Sequence, residues 1–273
     1  SHEDLVLTAK WTPMSYEVEL YPNTDKYVDE ENKSTTKENY DCSQKVSPAD
    51  WSALYEPTAE WKNKGYGIVY WSTNPNGSGK KYYDDKTYSA LATSGTVKLY
   101  AQWGMKKYTI TYENTEGIRN TNPANYTYDA TKKVTLKNIT KKGYNFEGWY
   151  TDEAFAEGTK VTEINRNLCE NITLYAKLTP ISYTVKLVPN GNDATANKNL
   201  KESFVVNYDE EFTLTDDSYA REHYQIAYWS TNSKGTGKKI KSGSISNLTT
   251  KDKATITLYP KWELVTYTIS YEN

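Results

Sequence analysis

Histidine, cysteine, methionine and phenylalanine are scarce in this chain of 273 residues, with two, two, two and four copies. The histidines, His2 near the start and His223 on its own, cannot assemble a catalytic triad or a histidine metal site. Cys42 and Cys169 fall in different units of a repeat, so a disulfide framework is not expected, and no Cys-x-x-Cys spacing offers zinc a site. There is no Asp-x-Asp-x-Asp-Gly loop for calcium. No stretch approaches the roughly 18–20 apolar residues that span a bilayer, so no membrane insertion is expected of this fragment. Charge of one sign is missing as well. Lys+Arg is 33 against Asp+Glu 35, a net of −2, which argues against nucleic acid as a partner.

Tyrosine is what the chain has instead, 26 of it beside eight tryptophans. An apolar fraction of 37% carried so heavily by tyrosine suits small cores of aromatic bodies whose polar tips reach water. The large dry core of a big enzyme domain is hard to build from it.

The sequence repeats itself. An alternating strand opened by tyrosine recurs as YEVELYPN from Tyr16, YTITYEN from Tyr108, YTVKLVPN from Tyr183 and YTISYEN from Tyr267. A closing phrase recurs as LTAKW ending at Trp11, LYAQW at Trp103, LYAKL at Leu178 and LYPKW at Trp262. Between them lie YGIVYWSTN from Tyr66, YNFEGWYTD from Tyr144 and YQIAYWSTN from Tyr224. Four residues join each closing phrase to the next opening one: TPMS, GMKK, TPIS and ELVT. Such recurrence marks a tandem array. The expected organisation is the last strand of a preceding repeat plus a joint over 1–15, repeats at 16–107, 108–182 and 183–266, and the first strand of a following repeat over 267–273. The first and third repeats share YWSTN and a Gly-x-Gly-Lys-Lys turn; the second and the incipient fourth share YTITYEN or YTISYEN. Duplication of a pair of modules accounts for the alternation, and short joints imply limited freedom between modules.

Period-two alternation marks the opening and closing strands as half-buried. Val97, Leu99, Ala101 and Trp103 face one way, and Lys98, Tyr100 and Gln102 the other. A single middle strand is expected at FVVNYDEEFTL from Phe204 and at YTYDATKKVTL from Tyr126. Helix signals are sparse. The best is SPADWSALY, with Ser47 as N-cap and Pro48 at the first helical position, stopped by Pro57. TDDSYAREHY from Thr215 holds the matching place in the third repeat, and each module is expected to carry at most one short helix. The polar tract from Thr24 to Gln44 reads as a mobile excursion.

The phrase KKGYNFEGWYTDEAFAEGTKVTEI…NITLYAKL resembles the consensus of the Listeria–Bacteroides repeat, the B-repeat of internalin B-type surface proteins. The resemblance covers all three repeats, the second most closely. YWSTN in place of GWYTD, extra residues before it, and Leu178 in place of the final tryptophan are departures. The resemblance implies a β-rich α+β fold: small β-grasp-like (ubiquitin/SUMO-like) modules strung in an elongated array on extracellular bacterial proteins. It implies no catalytic residues.

GSGKK in the first repeat looks like half of a phosphate loop. A phosphate loop needs glycine five residues before the Gly-Lys pair, serine or threonine after it, and a helix to follow. Asn74 and Lys81 stand at those places, and the twin at Gly237-Lys238 fails in the same way, so both read as hairpin turns. The carboxylates Asp209, Glu210, Glu211, Asp216 and Asp217, or Asp84 and Asp85, are of the kind that paired acids use in glycoside hydrolysis. They read instead as solvated strand ends and a helix start. Trp71, Trp149, Trp229, Trp103 and Trp262 recur at fixed places and are expected to be the structural aromatic core. Burying one is worth at most about 4–6 kcal/mol, comparable with the whole stability of a small module. Tyr100, Tyr175 and Tyr259 on the other strand face, and Lys80, Lys81, Lys238 and Lys239 in the turns, are the candidate surface contacts.

The expected function is a non-catalytic spacer or stalk segment of a bacterial cell-surface or secreted protein, with adhesive contacts. The expected location is extracellular, at the cell surface or wall. No catalytic, cofactor or metal site is expected, the chain is expected to be monomeric, and a host or cell-wall protein or glycan is the expected partner. The alternative is a carbohydrate-binding repeat using exposed tryptophan and tyrosine platforms.

Overall fold

The computed structural model describes residues 8–271. It is rich in strands and divides into two compact units. One comprises Ser1–Thr111, Asn122–Leu136 and Glu163–Thr173, the other Tyr112–Thr121, Lys137–Thr162 and Leu174–Asn273. The residues of the expected second repeat are therefore shared between them.

In the first unit, β1 (Ser15–Tyr21), β2 (Thr36–Asp41), β3 (Tyr66–Ser72), β4 (Lys81–Tyr82) and β5 (Thr96–Met105) form one sheet in the order β2-β1-β5-β3-β4. The opening and closing phrases lie side by side and parallel, from Glu17 opposite Thr96 to Tyr21 opposite Tyr100; the other pairs are antiparallel. Alternation then decides the faces. Val18, Leu20, Leu99 and Ala101 are buried on one side, where α1 (Pro48–Ala53) sets Trp51 edge-on to Trp71 at 6.3 Å. Ser47 precedes α1, although its side chain makes no capping bond. A second short helix, α2 (Ala59–Lys62), leads into β3.

The second repeat supplies β6 (Lys107–Glu113), β7 (Asn125–Thr127), β8 (Lys133–Thr135), β9 (Tyr144–Tyr150), β10 (Lys160–Val161), β11 (Glu163–Asn165) and β12 (Ile172–Pro180). Within the first unit β6 pairs with β7 and β8 with β11, both antiparallel. Within the second unit β9 pairs antiparallel with β10 and β12.

The third repeat lies wholly in the second unit. It contains β13 (Ser182–Leu187), β14 (Thr195–Ala196), β15 (Ser203–Asn207), β16 (Phe212–Leu214), β17 (Tyr219–Ala220), β18 (Tyr224–Ser230), β19 (Lys239–Ile240), β20 (Gly243–Ile245) and β21 (Thr255–Leu264). Its main sheet runs β15-β13-β21-β18-β19, the order of the first repeat, again with the opening and closing strands parallel. Two small ladders, β14–β17 and β16–β20, flank it.

The tryptophan strands break the period of two. Ile68 and Trp71 are three residues apart, yet both are buried. A bulge between Ile68 and Tyr70 supplies the extra residue that returns both to one face, and the same irregularity recurs at Ile226/Tyr228 and at Lys177/Leu178. Across the ladder the bulged register sets Ile68 opposite Trp103, Ile226 opposite Trp262 and Phe146 opposite Leu178. Leu178 thus faces the one aromatic residue of the three, and the large and small partners have exchanged strands.

Several expectations are corrected. The tract from Thr24 to Gln44 is not a bare excursion, because β2 within it pairs with β1 from Ser15 to Leu20. Alternating Thr36, Glu38 and Tyr40 supply an edge strand despite the charge. The first repeat carries two α-helices and a 3-10 turn at Glu30–Asn32 rather than at most one helix. No helix forms from Thr215; Tyr219–Ala220 pair with Ala196–Thr195 instead, so the acidic pair Asp216/Asp217 begins a turn. FVVNYDEEFTL and YTYDATKKVTL each split into two strands on different ladders, at Asp209 (φ 65°) in the former. The expected strand ending at Trp11 lies partly outside the described residues, and 8–14 carry none; Trp11 is exposed. Tyr267, Ile269 and Tyr271 are likewise exposed and outside any strand, while 272–273 lie outside the described residues.

Candidate functional site

The glycine-lysine turns uncoil into a specific internal network. Thr73 N and Thr231 N donate to Lys80 O and Lys238 O, and the N–H groups of Lys80 and Lys238 return bonds to Thr73 Oγ1 (3.0 Å) and Thr231 Oγ1 (2.9 Å). Gly77 N and Gly235 N donate to Asn74 O and Asn232 O. The Asn74 and Asn232 side chains reach Ser78 Oγ and Thr236 Oγ1, both at 3.1 Å. A phosphate cradle needs these N–H groups free and converging; here they are spent inside the turn. The second glycine is required by space: a Cβ on Gly79 would lie 2.2 Å from Thr73 Oγ1 and 2.8 Å from Asn74 N.

The lysines of the turns have aromatic partners. Lys81 Nζ sits 4.5 Å from the centre of the Tyr70 ring and Lys239 Nζ 4.8 Å from that of Tyr228, while Lys80 lies 5.1 Å from Tyr82. Lys238 is exposed. Tyr100 stacks on Tyr21 at 4.7 Å; Tyr175 and Tyr259 are half-buried. The result is a tyrosine-lysine strand face in each repeat, with Lys177 over Tyr150 at 5.5 Å in the second.

Trp71, Trp149 and Trp229 are 0, 2 and 0% exposed, so none is a platform for a ligand. Their indole N–H groups differ. Trp71 Nε1 donates to Ser52 Oγ (3.0 Å) and Trp149 Nε1 to Lys137 O (3.0 Å), whereas Trp229 Nε1 is buried with no partner among the described residues. Trp103 and Trp262 are half-buried against the cores of their repeats. Trp103 Nε1 donates to Pro22 O at 2.7 Å, and Trp262 Nε1 is buried without a partner among the described residues.

The first unit holds a groove of about 460 Å³ beside α1 and β3, lined by Ser52, Glu56, Tyr66, Asp84, Lys106 and Tyr108 among others. Ser52 donates to Asp84 Oδ1 at 2.9 Å, and Lys106 Nζ stands 4.0 Å from Asp84 Oδ2. Burial pushes the Asp84 carboxyl above its usual range, against the Ser52 bond and the Lys106 charge. Glu56 is held below its usual range by the bond it accepts from Lys62 at 2.7 Å. Burial also raises the Tyr108 phenol, next to Cys169. The groove offers one desolvated carboxylate, lysines and tyrosine hydroxyls, a polar binding surface. Four of the other candidate acids are engaged locally: Asp209 with Asn247 and Tyr144, Glu210 with Asn207, Glu211 with Ser244, and Asp216 with Ser242. Among the described residues no cluster of three His, Cys, Asp or Glu is placed to hold a metal, and no helix is long and apolar enough to cross a membrane.

Sequence reasoning missed the asparagine that ends each opening phrase. Asn23 Nδ2 donates to Pro75 O (2.8 Å) and Ala101 O (3.0 Å); Asn190 Nδ2 donates to Ser233 O (2.9 Å) and Pro260 O (3.2 Å); Asn114 Nδ2 donates to Ala176 O (3.3 Å). In the first and third repeats one side chain ties the closing strand to the glycine-lysine turn. Its recurrence in YPN, YEN and VPN was the available signal.

Sheets of one strand order at both ends of the chain, each closed over a buried tryptophan, define a tandem-repeat protein of small strand-rich modules. The model of the Listeria-Bacteroides repeat domain matches residues 108–177 and 183–261, more than half the chain, and the chain belongs to that family. The first repeat lies outside the matched residues but shares the sheet order of the third. Two proteins of Evansella cellulosilytica are similar along nearly the full chain. One, named a Gly-rich membrane protein, is 25% identical over 99% of this chain and 28% of its own length. The other, named a membrane protein, is 26% identical over 95% of this chain and 35% of its own. The chain thus spans about a third of the curated relatives it matches. Among solved structures, the Bacillus anthracis TIE protein is similar at 10% identity over 92% of this chain and 51% of that one, with a TM-score of 0.27, too low to bear on the fold.

Proposed function

We propose that this chain is a non-catalytic segment of a bacterial cell-surface or secreted protein, a spacer of β-grasp-like modules whose tyrosine-lysine faces make adhesive protein contacts. The observation that carries the reading is the recurrence of one architecture, two parallel central strands within a five-stranded order, in a chain of this repeat family. A helix between the second and third strands of the first repeat supports the β-grasp reading. The membrane-protein names of the two relatives support a place at the cell envelope. Small-angle scattering tests the spacer. A compact globule of this length has a radius of gyration of about 19 Å, and a monomeric row of modules exceeds it clearly. A value near the compact one sinks the proposal.

The carbohydrate reading loses the recurring tryptophans Trp71, Trp149 and Trp229, which are buried, and rests mainly on tyrosines. The Tyr21–Tyr100 stack is the observation in its favour. A glycan array with no hits lost on Tyr100→Ala dismisses it.

A further inference from the structure

One residue separates the closing strand of a repeat from the opening strand of the next: Lys106 between β5 and β6, and Ile181 between β12 and β13. At both places that residue donates its N–H back to the glycine before the tryptophan strand, Lys106 N to Gly65 O at 2.8 Å and Ile181 N to Gly143 O at 2.9 Å. Both glycines have positive φ, 72° and 78°. Both are covered by a tyrosine of the following repeat. A Cβ on Gly65 would lie 2.7 Å from Tyr128 Cβ, and one on Gly143 would lie 2.3–2.4 Å from ring atoms of Tyr208. The first contact lies within the first unit and the second within the second. At the second joint Tyr208 N also donates to Ile181 O (2.8 Å), and Tyr144 Oη to Asp209 Oδ2 (2.9 Å).

The third repeat has the same backbone bond, Val265 N to His223 O at 3.0 Å, and the same left-handed backbone, φ 61°. The residue there is histidine, and it is exposed. The conformation therefore tolerates a side chain; the tyrosine of a following repeat does not.

We infer that glycine at 65 and 143 is a docking socket that couples a repeat to the next one by admitting its tyrosine. His223 closes the corresponding socket of the third repeat to any partner repeat bearing tyrosine at that place. The face it leaves fits a repeat with a small side chain there. Cys42 is such a residue in the first repeat, where Cys42 N bonds Met14 O at 2.8 Å as Tyr208 N bonds Ile181 O.

The test uses the full chain and residual dipolar couplings of amides in β9 and β12 against those in β13 and β15. One alignment tensor is expected to fit both sets in the parent protein. Gly143→His, which copies the third repeat, is expected to demand two tensors while the amide shifts within each sheet persist. Tyr208→Ala alone is expected to demand two as well, and adding Gly143→His to it to change nothing further. Two tensors in the parent, one tensor in Tyr208→Ala, or an equal effect of Gly143→His with and without Tyr208, overturns the inference. If Gly143→His disturbs the sheet itself, Tyr208→Ala decides.

Discussion

Trp71 and Trp229 occupy the same place in two repeats and are equally buried, but only Trp71 has a partner for its indole N–H. Phenylalanine at either position removes the same atoms. At Trp71 it deletes the bond to Ser52, worth about 1 kcal/mol, and leaves a small cavity worth about another 1 kcal/mol. The total, about 2 kcal/mol, is roughly a 30-fold rise in the opening equilibrium of the first unit. At Trp229 the cavity cost is similar, but an unpaired buried N–H, itself a penalty of about 1–3 kcal/mol, disappears with the ring nitrogen. Trp229→Phe is therefore expected to be neutral to mildly stabilising. The chain has two units, so one melting curve would mix them. Native-state hydrogen exchange at the amides of β5 for Trp71→Phe and of β21 for Trp229→Phe reads each unit separately. The reasoning fails if Trp229→Phe accelerates exchange in β21 as much as Trp71→Phe does in β5.

Asn23→Ala removes two bonds and puts alanine at φ 54°, so a loss of about 2–3 kcal/mol is expected in the first unit, read by native-state hydrogen exchange at the amides of β5. Asn23→Gly keeps the backbone at ease and isolates the bonds, so it is expected to lose less; equal losses would refute the clamp. Asp84 gives a pH dependence. Its folded pKa is raised by burial, so the native state holds the proton more tightly than the unfolded chain. Its contribution therefore worsens as pH rises from the unfolded value, about 3.9, through the folded one. Asp84→Asn is expected to match or exceed the parent at pH 7 and to remove that part of the decline; a loss at pH 7 would contradict it.

The strands that follow simple alternation were legible in the sequence: the opening and closing phrases carry Val18, Leu20, Leu99 and Ala101 at period two, and all four are core residues. The glycine-lysine turns were legible from the failure of the phosphate-loop spacing. What escaped depends on partners distant in sequence. β2 is an edge strand because β1 offers it a ladder, which no local property of a charged tract announces. The groove at Asp84 joins α1, β3 and residues near 106–108 and 169–171, and no spacing links them. Thr215 onward had helix-like signals, but pairing between Tyr219–Ala220 and Thr195–Ala196 overrode them.

The tryptophan strand shows how a departure from a family pattern can preserve a fold. Alternation places Ile68 and Trp71 on opposite faces, and only the bulge brings them together. Once the bulge fixes the register, the residue three before the buried tryptophan faces the end of the closing phrase. Isoleucine then meets tryptophan in the first and third repeats, and phenylalanine meets leucine in the second, where Phe146 lies edge-on to Trp149 at 5.4 Å. A well-packed interior tolerates changes that conserve volume across a contact far better than changes that do not. Leu178 is therefore half of a compensated pair rather than an eroded position. Exchanging Phe146 alone for isoleucine would leave two aliphatic partners and a gap, whereas exchanging it together with Leu178→Trp rebuilds the contact that the first and third repeats already use.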